Sequence, residues 1–209
     1  MKRASLFFGA FSITFSAIAA VPPPSGAFDA IEWPASLRKA PSRSATFGEL
    51  VIQFEKTTLA QVMSEASVGT IAHQGDAGDS VYWLCYSQPN AGALIWIISN
   101  GEMGGDNHAV TGVIAEQFKS ARASIDCPAL PVKLQPLSLA HDVWLGSTDV
   151  AIQQMLGMPS HQAGAWRAFD FQGRKQGECE GGYDVYNWLR TRSDKGRVNR
   201  IDAGQVTSC

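Results

Sequence analysis

The sequence predicts an α+β fold. It reads as two tandem units, each a helix followed by an antiparallel meander, with the sheets forming a curved face and the helices on the other side. Three observations predict this. Apolar residues recur at helical spacing twice, once in each half of the chain. Each helical stripe is followed by three strand-like runs separated by Gly- or Asn-containing turns. The two halves also match each other at an offset of 88 residues, where Val62, Gly69, His73 and Gln74 face Val150, Gly157, His161 and Gln162, and Val68 faces Leu156.

The chain begins with Lys2 and Arg3, followed by an apolar run carrying Phe7, Phe8, Phe11, Ile13 and Phe15 and ending in Ala17-Ile18-Ala19-Ala20. A basic start, a short apolar middle and small residues at the end predict a secretory signal peptide over 1–20. The run is short for a membrane span. No cysteine follows the cleavage region, which argues against a lipid anchor. Residues 21–46 hold Pro22, Pro23, Pro24, Pro34 and Pro41 and read as an irregular leader. Repeat unit 1 is expected over 47–127 and unit 2 over 137–209. Between them, 128–136 is a linker marked by Pro128, Pro131 and Pro136.

In unit 1, Leu59, Val62, Met63 and Ala66 form one helical stripe. Thr58 with Gln61 fits a capping box, and Gly69 is the expected stop. In unit 2, Ser147 or Thr148 can cap a helix whose stripe is Ile152, Met155 and Leu156, with Gly157 and Pro159 ending it. Both glycines are expected at positive φ. Strands are expected at 80–86, 93–98 and 110–118 in unit 1, with a glycine-rich turn at 101–106, and at 166–171, 183–192 and 197–206 in unit 2. One tryptophan follows the helix in each unit, Trp83 and Trp166, and each unit closes on a cysteine, Cys127 and Cys209.

The full chain has a formal net charge of -2. Loss of Lys2 and Arg3 with the signal leaves 15 basic against 19 acidic residues, a net charge of -4. Such a balance carries no electrostatic footprint for nucleic acid, and no membrane span is expected after signal cleavage. Cys85, Cys127, Cys179 and Cys209 are spaced 42, 52 and 30 residues apart, too far for a close-paired zinc site. In an exported chain they read as two disulfides. Three pairings are possible, and local closure within each unit favours Cys85–Cys127 and Cys179–Cys209.

Chemistry is sought on the sheet face left free by the helices. Along Asp184-Val-Tyr-Asn-Trp-Leu-Arg190, alternation puts Asp184, Tyr186, Trp188 and Arg190 on one side and Val185, Asn187 and Leu189 on the other. Tyr, Trp and Arg dominate binding hot spots. Tyr82 and Tyr86 are the matching candidates in unit 1, while Trp83 and Trp96 read as core. The leading expectation is therefore a periplasmic or secreted module that binds an envelope or extracellular protein through an aromatic sheet face, with no cofactor or metal. The alternatives are a cell-envelope hydrolase using His73, His161 and nearby carboxylates, and a purely structural envelope protein. The simpler reading of both histidines is local packing, because no carboxylate or cysteine stands at ligand spacing.

The stretch Leu145-Gly-Ser-Thr-Asp-Val150 through Leu156-Gly-Met-Pro-Ser160 resembles the start of the repeat in beta-lactamase-inhibitor-like proteins and the related small outer-membrane assembly lipoproteins. Gly146, Ser147, Leu156, Gly157 and Pro159 carry the resemblance. It implies tandem helix-plus-sheet units whose strands bind another protein, and it brings no enzymatic residues. No lipobox cysteine and no matching inhibitory loop accompany it.

Overall fold

Two threonines start the main helices. In α1 (Leu59–Ala66), the Gln61 N–H donates to the Thr58 hydroxyl at 3.2 Å, and the Thr58 N–H donates to Gln61 Oε1 at 2.8 Å. This is the expected capping box. A one-turn α2 (Gly101–Gly104) stands where a glycine-rich turn was expected. In α3 (Asp149–Leu156), Thr148 is the cap, accepting from the Ala151 N–H at 3.2 Å. Ser147 instead accepts from the Trp144 N–H. In this computed structural model the described residues are 21–24, 35–76, 79–105, 107–119, 123–177 and 179–209. Residues 1–20, expected to be a signal peptide, lie outside them.

The helix stops differ. Gly157 ends α3 at φ 86 and ψ -164, a conformation essentially reserved for glycine. Gly69 also has positive φ, at 107, but α1 ends two residues earlier on Ser67, at φ 57. Gly69 instead lets the chain pass close to the Tyr86 ring, where a Cβ would sit 3.1 Å from the hydroxyl. The caps Thr58 and Thr148 stand 90 residues apart, not 88. In the helices Val62 therefore corresponds to Ile152, and both are buried, whereas Val150 is 63% exposed.

Among the described residues the strands are β1 (Ser44–Phe47), β2 (Leu50–Gln53), β3 (Ala72–Gln74), β4 (Val81–Gln88), β5 (Ala93–Asn100), β6 (Gly112–Gln117), β7 (Leu137–Leu139), β8 (His161–Ala163), β9 (Trp166–Lys175), β10 (Tyr183–Asp194) and β11 (Arg197–Ser208). Eight of them form one antiparallel sheet in the order β3-β4-β5-β6-β11-β10-β9-β8. Each half thus supplies a helix and then four strands. The halves meet where β6 pairs with β11, through Arg200↔Glu116, Asp202↔Ile114 and Gly204↔Gly112. The edge strands β3 and β8 were not expected; three residues with polar His and Gln carry too little alternation to be read as strands.

A second, three-stranded sheet has the order β2-β1-β7. It joins the start of the folded chain to the segment after the central prolines. β1 begins inside the stretch read as leader, and just before it Ser42 is buried and anchored. The Asn187 amide donates to the Ser42 carbonyl at 2.6 Å, and the Ser42 N–H donates back to Asn187 Oδ1 at 3.3 Å.

One apolar core lies between the large sheet and the helices. It includes Phe47, Ile52, Leu59, Val62, Leu84, Tyr86, Ile95, Ile97, Ile152, Phe169, Leu189 and Ile201, and so runs through both halves. A smaller cluster lies on the opposite face of the first half, formed by Val81, Trp83, Cys85, Trp96, Ile98, Ile114 and Cys127. With both faces covered, β5 is apolar at nearly every position, which is why it reads as a continuous run rather than an alternation. The disulfides are Cys85–Cys127 and Cys179–Cys209. No helix among the described residues is long and apolar enough to cross a membrane.

Candidate binding face

The second half of the sheet, on the side away from α1 and α3, carries side chains in cross-strand rows. The register of β9, β10, β11 and β6 places Trp166, Arg192, Arg200 and Glu116 in one row. The next row is Ala168, Arg190, Asp202 and Ile114, and the third is Asp170, Trp188, Gly204 and Gly112. Toward the rim follow Gln172 with Tyr186, then Arg174 with Asp184.

The third row explains how Trp188 lies. Gly204 and Gly112 are direct cross-strand partners, and neither has a side chain. The indole fills the trough they leave, with no room for a Cβ at Gly204. Its Nε1–H donates to Asp202 Oδ1 at 2.8 Å. Tyr186 stacks beside it, ring centroids 5.7 Å apart and planes 26° from parallel. Both rings are half-buried. As expected, Tyr186, Trp188, Arg190 and Asp184 share the face opposite the helices, while Leu189 enters the core.

Charge is packed tightly around this stack. Arg190, Asp170, Asp202, Arg200 and Glu116 are all buried. Arg190 Nη2 donates to the Tyr186 hydroxyl at 2.8 Å, and Arg190 Nε stands 3.5 Å from the Asp170 carboxylate. Arg192 donates to Glu116 Oε1 at 2.8 Å, and Arg200 stands 3.5 Å from Oε2. Both guanidiniums lie over the Trp166 ring, at 5.8 and 5.2 Å from its centroid, a cation–π arrangement. At the rim, Arg174 pairs with Asp184 at 3.2 Å, both well exposed.

Burial dominates Asp170 and Asp202. It raises the Asp170 carboxyl above its ordinary range, and the Arg190 charge only partly pulls it back. Burial likewise raises Asp202 from 3.8 to about 6, against the Trp188 hydrogen bond and the Arg190 and Arg200 charges. A folded-state value above the unfolded one stabilises the fold at low pH, and this contribution is lost as pH rises through about 6. Asp202→Asn keeps an oxygen acceptor for the indole and has no charge to bury. Its stability relative to wild type is expected to rise by up to about 3 kcal/mol between about pH 4 and pH 7. Urea unfolding at the two pH values checks this; a difference independent of pH would contradict it.

The first-half candidates lie elsewhere. Tyr86 is fully buried on the helix side, its hydroxyl donating to the Val68 carbonyl at 3.0 Å, and burial pushes its pKa up to about 12. Tyr82 is on the same side, stacked between His73 at 4.4 Å and His108 at 3.9 Å. Neither tyrosine can join the second-half face, because odd and even positions of β4 point to opposite sides and it is Trp83 and Cys85 that point away from the helices.

The two histidines also part company. His73 is on edge strand β3 opposite Tyr82, whereas His161 is on the other edge strand, β8, opposite Ala168. Six strands separate them, and they occupy opposite faces. The last residue of each edge strand faces the first of its neighbour, Gln74 with Val81 and Ala163 with Trp166. The strands therefore correspond at an offset of 89, not 88, and that one-residue difference turns a matched histidine to the other face. The convergent His73/His161 site of the hydrolase alternative is absent from this arrangement.

Sequence reading missed Asp170, Asp202, Arg200, Arg192 and Glu116. Part of the signal was present: in Arg200-Ile-Asp-Ala-Gly204, charged or small residues alternate with apolar ones. Compared with known proteins, the chain matches no family model, no curated protein and no solved structure.

Proposed function

We propose that this chain is an exported protein-binding module whose second-half sheet face engages an envelope or extracellular protein. In this reading its two halves are tandem copies of one helix-plus-sheet unit, arranged as in beta-lactamase-inhibitor-like proteins. The repeated order of helix and four strands supports it, as does one disulfide within each half. Disulfides suit an oxidising compartment.

The observation that carries the proposal is the Tyr186–Trp188 stack, whose indole is seated on Gly112 and Gly204. Two large aromatics with arginines around them have hot-spot composition. The lattice of Arg190, Asp170 and Asp202 beneath holds the rings in place, so little side-chain freedom remains to be lost on binding.

The test is capture of partners from an envelope extract on immobilised protein, compared across wild type, Trp188→Ala and Tyr186→Ala. Specific partners are expected to be retained by wild type and lost from both variants, with affinity reduced by about 2 kcal/mol or more for Trp188→Ala. Because Trp188 is half-buried, its removal should cost less stability than the roughly 3–5 kcal/mol of a fully buried tryptophan. Folded variants that retain the same proteins as wild type would refute the proposal.

A further inference from the structure

On the first half of the same sheet face, Trp83 of β4 and Trp96 of β5 are almost completely buried, 3% and 1% exposed. Cross-strand pairing sets Trp83 opposite Ile98 and Trp96 opposite Cys85, so the two indoles stand on a diagonal of one face. Their Nε1–H groups converge on a single acceptor, the carbonyl oxygen of Val21, at 3.0 and 3.2 Å. Val21 packs against the apolar cluster, and Pro23 is buried, while Pro22 is exposed.

The chemistry of the two partners is complementary in an unusual way. An indole N–H only donates. In Val21-Pro-Pro-Pro24 the three prolines have no N–H and can only accept. Three successive prolines donate nothing to a β-ladder, which keeps such a segment out of a sheet interior. Its proline rings hold φ near one value, and each residue before a proline is driven to an extended conformation. The segment is therefore extended before it docks, and little ordering entropy opposes docking. The surface beneath is equally rigid, since the Cys85–Cys127 disulfide is built into the same apolar cluster.

We propose that Trp83 and Trp96 form a receptor site for a proline-rich extended segment, and that Val21–Pro24 of the same chain fills it. The site takes the Val21 carbonyl as its acceptor, the Val21 side chain packs against the same cluster, and the prolines that follow hold the segment extended. The site is therefore expected to accept a proline-rich peptide from outside once the internal segment is weakened. This site is separate from the Tyr186–Trp188 face and stands or falls independently of it.

The experiment follows the two indole N–H resonances by NMR in the full chain, assigned through Trp83→Phe and Trp96→Phe. In the triple variant Pro22→Ser, Pro23→Ser, Pro24→Ser, both signals are expected to shift and their hydrogen exchange to accelerate at least about tenfold. An acetylated Val-Pro-Pro-Pro-Ser-Gly peptide at millimolar concentration should reverse both changes, and its serine-for-proline counterpart should not. Should the triple variant fail to fold, Trp83→Phe alone still tests the site. Losing one of the two donors should accelerate exchange at Trp96 severalfold. Unchanged indole exchange in the folded triple variant or in Trp83→Phe would overturn the proposal. So would a proline peptide that leaves the triple variant's signals unmoved, or a serine peptide that moves them equally.

Discussion

Asp170→Ala is expected to destabilise the protein by about 3–5 kcal/mol, the loss seen when one member of a buried ion pair is removed. The Asp170 side chain is fully buried and its partner Arg190 nearly so, 3.5 Å away. Without the carboxylate, the guanidinium keeps the Tyr186 hydroxyl but loses the Asp170 charge across β9 and β10. The pair itself contributes less than this loss suggests. Burial raises the Asp170 carboxyl more than Arg190 lowers it, so holding the charged pair inside is itself unfavourable. The double variant Asp170→Leu/Arg190→Met is accordingly expected to recover most of the lost stability. Denaturant unfolding of both single variants and the double variant decides the matter. A single-variant loss under about 1 kcal/mol, or a double variant as poor as the sum of the singles, would contradict this account.

The second large effect is expected at Cys85–Cys127. Replacing both cysteines by alanine opens a closure spanning 42 residues, which the chain-entropy model values at about 4 kcal/mol. The bond also holds the segment around Pro128 against β4. There the Ser87 N–H donates to the Pro128 carbonyl and the Leu130 N–H donates to Ser87, each at 2.8 Å. The apolar cluster around Trp96 should loosen with it, because both cysteines are buried there. Chemical unfolding of the double-alanine variant measures the loss. A midpoint within about 1 kcal/mol of wild type would show that packing alone holds the segment.

What local chemistry specifies was legible along the chain. The capping box of Thr58 and Gln61, the glycine stop of α3 and the continuous apolar run of β5 each depend on a few neighbouring residues. The same is true of the alternation that sets Asp184, Tyr186, Trp188 and Arg190 on one side of β10. The local disulfide pairing also followed, because spacing and the repeated order of elements agreed.

Long-range pairing decided the rest. In β4 both sets of alternating residues are apolar or aromatic, Val81, Trp83 and Cys85 against Tyr82, Leu84 and Tyr86, so alternation has no sign there. Only the position of α1 and the core shows that Tyr86 faces inward and Trp83 away. The buried Asp170–Arg190 and Glu116–Arg200 pairs bring together residues from different strands, and no spacing within one strand announces them. The offset between halves is 90 at the helix caps and 89 at the edge strands, so an apparent match of His73 with His161 placed them on opposite faces. Sequence by itself determined the elements, their caps and the side of β10 that carries the aromatic stack. Tertiary structure alone decided which faces became core and which charges met, because a strand's alternation is local whereas the burial of either side depends on what packs there.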